Sequence, residues 1–122
     1  MFRLDHDSGA PVYLQIVQDV KSKIMTAKMH AHEQLPSVRA LARALHINPN
    51  TVQKSYAILK KQGLVYSVAG KGDFVADNAA KVKEMKRQQI IDMFVLATKE
   101  ARDSGMWIDE IITIVDDAYT SR

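Results

Sequence analysis

The chain has 122 residues, 47% hydrophobic and 25% charged, an ordinary globular balance at a length where one domain buries its own core. It holds no cysteine, which excludes disulfide scaffolds, cysteine zinc sites and thiol nucleophiles and fits a reducing, cytoplasmic setting. Net charge is only +3, but residues 1–78 carry +4 and residues 79–122 carry −1, so the basic surplus lies in the front part.

Arg3, Asp5, His6 and Asp7 interrupt the apolar run a signal peptide requires, and nowhere do about 18 apolar residues follow one another, so neither export nor a membrane span is expected. Tyr13, Ile16, Val17, Val20 and Ile24 repeat on one helical face and predict a first helix from Pro11 to about Lys28. A polar connection with His30, His32 and Glu33 leads to Leu35-Pro36-Ser37, where the proline disfavours helix before it and the serine hydroxyl can cap the next one. That second helix runs to about Leu45; Val38, Leu41, Ala42 and Leu45 form its buried face, leaving Arg39 and Arg43 exposed.

After His46 and Ile47, Asn48 caps a third helix with Pro49 in its first position, ending near Gln62 before Gly63. Two short helices joined by a tight turn form a helix-turn-helix. With Val52, Tyr56 and Leu59 facing inward, Asn50, Thr51, Gln53 and Lys54 project outward as candidate readers of base edges. The β-prone runs 64–68 and 73–76 flank Ala69-Gly70-Lys71-Gly72, which predicts a hairpin, or wing, with a lysine at its tip.

Beyond Asn78 the chain is helical again, from about Ala80 to Asp103, a break at Ser104-Gly105, and from about Trp107 to Thr120. Ile90, Phe94, Ala97 and Ala101 make one apolar stripe while Ile91, Met93, Val95 and Leu96 spill around it, and Trp107, Ile108, Ile111, Ile112, Ile114 and Val115 repeat the pattern. So much apolar surface on two helices implies a second copy of the chain, with Ile90, Phe94, Ala97, Trp107, Ile111, Ile112 and Val115 as the dimerisation candidates. The fold expected is mainly α with a small β-hairpin: a winged helix-turn-helix over residues 1–76, then a two-helix dimerisation tail over 77–122.

Between Ser37 and Gly72 the cations Arg39, Arg43, Lys54, Lys60, Lys61 and Lys71 occur without a single Asp or Glu. A polyanion is the natural partner of such a stretch, since each cation that neutralises a phosphate releases condensed counterion. Arg39, Lys54 and Lys60 suit phosphates, and Lys71 suits phosphate or the minor groove; Lys60 and Lys61 suit the negative end of their own helix equally well. Gln53 and Asn50 have the geometry for a bidentate contact with adenine, worth roughly 1–3 kcal/mol of discrimination.

In order and spacing, Pro11-Val-Tyr-Leu-Gln-Ile16, Leu35-Pro-Ser-Val-Arg39, Leu41-Ala42, Asn50-Thr-Val52, Leu59, Gly63-Leu-Val65, Gly70-Lys-Gly72 and Phe74-Val75 resemble the DNA-binding domain of the GntR family of bacterial regulators. The short helical tail resembles the YtrA subfamily, in which it serves dimerisation, and Asn48-Pro-Asn-Thr-Val52 is close to that subfamily's recognition-helix opening. The resemblance implies DNA contacts for Arg39, Thr51, Gly70 and Lys71, a double-stranded operator as partner and a neighbouring transporter operon as target. Pro49 and Gln53 stand where many relatives carry arginines, so base preference does not transfer from them; residues 27–33 also lack the glycines and proline common before Leu-Pro-Ser. A two-fold dimer predicts an inverted-repeat operator and, by default, repression.

No other chemistry assembles. His30 and His32 lack a further ligand nearby, so no metal or other cofactor is expected. Asp109-Glu110 and Asp116-Asp117 lie opposite the isoleucine stripe as a solvated face, and the wing tip lacks the remaining residues of a phosphate-binding loop, so no enzyme is expected. Met85, Met93 and Met106 suit either the pocket of an unidentified small-molecule effector or plain core packing. A protein-binding interaction module is the competing function, against which the acid-free basic stretch argues.

Overall fold

The computed structural model describes residues 2–121. Its described residues form five helices, α1 (Val12–Met25), α2 (Val38–Leu45), α3 (Pro49–Lys61), α4 (Ala79–Asp103) and α5 (Ile108–Thr120), and one antiparallel hairpin, β1 (Val65–Val68) and β2 (Gly72–Val75). The chain divides into two compact units between Lys83 and Glu84. The first holds α1 to β2 and the start of α4; the second holds the rest of α4 and α5.

The core of the first unit follows the apolar spacing. Ile16, Val17, Val20 and Ile24 of α1, Leu41 and Ala42 of α2, Val52, Tyr56 and Leu59 of α3, and Leu35, Leu64, Val65 and Val75 are all buried. Fully burying each larger side chain contributes about 1.5–3 kcal/mol, and α3 lies at the centre of that burial, packed against α1, α2 and β1. Two polar groups in this core are matched: Ser55 Oγ donates to the Tyr13 carbonyl at 2.8 Å, and the Tyr56 hydroxyl donates to the Pro36 carbonyl at 2.7 Å.

The helix ends repeat one solution. After α1, α2, α3 and α4, a residue in the left-handed region turns the chain, and the next amide reaches back five residues: Lys28 to Lys23, Ile47 to Ala42, Leu64 to Leu59 and Met106 to Ala101. Gly63 and Gly105 take that conformation freely, whereas after α1 and α2 it falls to Ala27 (φ 60) and His46 (φ 55). α1 therefore stops at Met25, short of the expected Lys28, because Ala27 closes the motif in place of a glycine.

The connection from α1 to α2 joins the sheet. His32 N donates to the Val75 carbonyl at 2.7 Å, Val75 N to the Glu33 carbonyl at 2.9 Å and Leu35 N to the Asp73 carbonyl at 2.9 Å, with Gln34 bridging to Phe74. The wing is thereby laced to the segment that leads into α2.

In the second unit no side chain of α5 is buried, and none of α4 is buried along its whole length. Trp107, Ile108 and Tyr119 are 79%, 71% and 87% exposed, and Ile90, Phe94, Leu96, Ile112 and Ile114 are all more than half exposed.

Candidate nucleic-acid interface

α3 begins as its sequence dictates. Asn48 Oδ1 accepts from the Asn50 amide at 2.8 Å, and Pro49 occupies the first turn, where no amide hydrogen is needed. With Val52, Ser55, Tyr56 and Leu59 buried, Asn50, Gln53 and Lys54 are exposed and Thr51 is half-buried. Three ties fix the helix. Ser55 bonds it to α1, Tyr56 to the connection, and the Lys54 ammonium lies 3.9 Å from the centre of the Tyr13 ring. Burial, and secondarily the Asp73 carboxylate, push the Tyr56 hydroxyl well above the usual phenol range, so it remains a donor.

α2 presents its cations beside that helix end. Ser37 Oγ accepts from the Ala40 amide at 3.0 Å, which starts α2 and leaves Arg39 and Arg43 one turn apart on the solvent side. The structure gathers both around a hollow at the turn between α2 and α3, together with His46, Asn48 and Pro49. Among the described residues, none of Arg39, Arg43, Lys54, Lys61 or Lys71 enters an ion pair. Free guanidinium groups next to the positive end of a helix favour a phosphate oxygen.

Lys60 also makes a tie within the fold. Its ammonium lies 3.1 Å from Asp73 Oδ1, the same carboxylate oxygen that accepts from Ser67 Oγ, so α3 and both strands of the wing meet at one acid. At the tip, Lys71 N donates to the Val68 carbonyl at 3.0 Å, closing a turn that requires the positive φ of Gly70 (+75). Lys71 is exposed at the apex, and a Cβ added at Gly70 would meet nothing within 4 Å, so the backbone there is open to close approach by a ligand.

Sequence reasoning missed Gln34, whose Nε2 donates to the Lys71 carbonyl at 2.8 Å, left His46 without a role, and counted Arg43 in the basic stretch without placing it at the α2–α3 turn. The arginine was visible as a second cation on the face of Arg39; the glutamine gave no local signal. His32 is taken up by the wing, its Nδ1 2.9 Å from the Tyr66 hydroxyl, with Tyr66 stacked on Phe74. Among the described residues no group of three or more His, Cys, Asp or Glu converges on a metal position, and no helix is long and apolar enough to cross a membrane. Of the tail candidates, Ile90, Phe94, Ala97, Trp107 and Ile112 are exposed and Ile111 and Val115 half-buried; Met93 is 65% exposed, Met85 and Met106 half-buried.

Comparison with known proteins agrees with this geometry. The family model "Bacterial regulatory proteins, gntR family" matches residues 12–75, which run from the start of α1 to the end of the wing. The HTH-type transcriptional repressor YtrA of Bacillus subtilis is 35% identical over 120 residues, covering 91% of this chain and 92% of that one. A solved transcriptional regulator from Oenococcus oeni superposes with a TM-score of 0.80 at 34% identity, covering 98% of this chain and 99% of that one. AraR(DBD) in complex with operator ORX1 matches at a TM-score of 0.53 and 30% identity, over 62% of this chain and 93% of that one.

Proposed function

The chain belongs to the GntR family of bacterial regulatory proteins and is a DNA-binding transcriptional regulator, and on that premise we propose that it is a cytoplasmic, homodimeric repressor of an inverted-repeat operator. The observation that carries this reading is the set of unpaired cations at the α2–α3 hollow and the wing tip, in a stretch from Ser37 to Gly72 without one carboxylate. In this reading Arg39, Arg43 and Lys71 seat backbone phosphates, and Lys54, braced on Tyr13, reaches a phosphate beside the recognition helix. Asn50, Thr51 and Gln53 meet base edges in the major groove, Asn48 fixes the helix start, and Gly70 lets the wing backbone approach the duplex.

Dimerisation is supported by the tail. Helices α4 and α5 leave Phe94, Trp107, Ile108 and Ile112 in water, and a second copy of the same surface is the economical cover for them. Residues 1–76 then serve DNA and 77–122 serve assembly. Two-fold symmetry sets the recognition helices about one DNA turn, or a multiple of it, apart. A transporter operon as target rests on the resemblance to the YtrA subfamily. The exposed Met93 favours, as a second reading, a small-molecule effector entering at the tail interface.

Fluorescence anisotropy with the DNA upstream of the protein's own gene, against a scrambled duplex and across a salt series, tests the proposal. Tight binding to the native duplex, weakening steeply with salt, is the expected result. Equal weak binding to both duplexes removes the operator reading, and no binding at low salt moves the assignment to a protein-binding module.

A further inference from the structure

The wing tip is held from outside the hairpin. Gln34 is anchored by its antiparallel bridge to Phe74 and by the bonds of its neighbours, Val75 N to the Glu33 carbonyl and Leu35 N to the Asp73 carbonyl, each 2.9 Å. From that fixed position its side-chain amide donates to the Lys71 carbonyl, 37 positions on, at 2.8 Å. Gly72 lies at φ +125, and a Cβ there would fall 2.9 Å from the same Nε2, so glycine leaves the space that Gln34 fills. A hairpin of two four-residue strands has little rigidity of its own, and the tip beyond Val68 carries no buried side chain.

We propose that Gln34 is a positioning residue for DNA: by holding the Lys71 carbonyl it sets where the Lys71 ammonium meets a phosphate, ordering the tip before the duplex arrives. This rests on the reading of the wing as a DNA contact. A lysine whose backbone is already placed loses less freedom on binding, which raises affinity without adding a contact.

Gln34→Met keeps the length and the apolar stem but removes the donor. Anisotropy across a salt series compares Gln34→Met, Lys71→Ala and the double variant with the wild type, and urea unfolding monitors each. Gln34→Met is expected to weaken binding roughly 2- to 10-fold on native and scrambled duplexes alike. Lys71→Ala should lower the magnitude of the salt slope by roughly 0.9 per copy, and Gln34→Met should move it in the same direction. In the Lys71→Ala background the added Gln34→Met change is expected to cost less than about twofold, because its target is already gone. Losses that multiply overturn the proposal, as does a Gln34→Met protein that binds like wild type while Lys71→Ala binds weakly. A Gln34→Met protein that loses stability and affinity together at an unchanged salt slope overturns it too. If Lys71→Ala leaves both affinity and slope unaltered, the wing contact fails and this proposal with it.

Discussion

Gln53 and Lys71 sit on different elements, and in the proposed reading their chemistry separates what each would do on DNA. An exposed amide on the recognition helix discriminates bases, so Gln53→Ala is expected to reduce the preference for the operator by about 1–3 kcal/mol at one or two base pairs, read from anisotropy on a set of single-substituted duplexes. Lys71→Ala should weaken all of those duplexes alike. Equal losses on specific and random DNA from both variants would remove the division of labour. Ala27 stands where the end of α1 demands a left-handed residue, at φ 60 and exposed. Ala27→Gly is therefore expected to raise unfolding stability by roughly 0.5–1 kcal/mol in urea titrations, the relief of left-handed strain exceeding the added chain entropy of glycine. Tyr56 ties stability to alkaline pH. Its hydroxyl, raised above the ordinary 10.0 by burial and then by Asp73, stays protonated in the fold after the unfolded phenol has begun to ionise. The stability this contributes is complete below the unfolded value and is lost as pH climbs above about 10. Tyr56→Phe should cost roughly 1 kcal/mol at neutral pH through the missing bond to Pro36, and should lose stability less steeply than wild type between about pH 9 and 11.

At the scale of elements, the helices were legible because their information is local: Ser37 and Asn48 cap where they were expected to, and the buried faces of α2 and α3 follow their spacing. The hairpin was legible for the same reason, from two glycines between β-prone runs. The lacing of residues 32–35 onto β2 was not, since it is made by backbone groups that any sequence carries, in a segment with no apolar alternation. Side-chain ties across long separations were equally hidden: neither Lys60 to Asp73 nor Gln34 to Lys71 has a local trace. Asn78 illustrates what such ties do for an element. Its Oδ1 accepts from the Lys81 amide at 3.2 Å to begin α4, while its Nδ2 donates to the Gly63 carbonyl at 3.1 Å, pinning the helix start to the end of α3. Asn78→Ala is expected to destabilise the first unit by about 1 kcal/mol, measured by urea unfolding, with little change in the helical content of the folded protein.

For the whole molecule, the proposed dimer makes the apolar tail decide the state in which the protein meets DNA. Phe94 and Ile112 are each more than half exposed, so Phe94→Asp with Ile112→Asp places two charges on the proposed interface without disturbing a packed core. Sedimentation velocity is expected to show a monomer for the double variant and a dimer for the wild type, and the variant's binding to the inverted repeat should fall to that of a single half-site. A variant that still sediments as a dimer would move the interface elsewhere. If the tail dimerises as proposed, the same bare surface on α4 and α5 gives the regulator a dosage response. When dimers are scarce relative to free chains and the operator is far from saturated, operator occupancy follows the square of protein concentration, because two chains must meet before the two recognition helices are in register. Halving the cellular level then quarters the occupancy, so a gradual decline in synthesis becomes a sharp release of the promoter, with the sharpness set by tail hydrophobicity and not by any base contact.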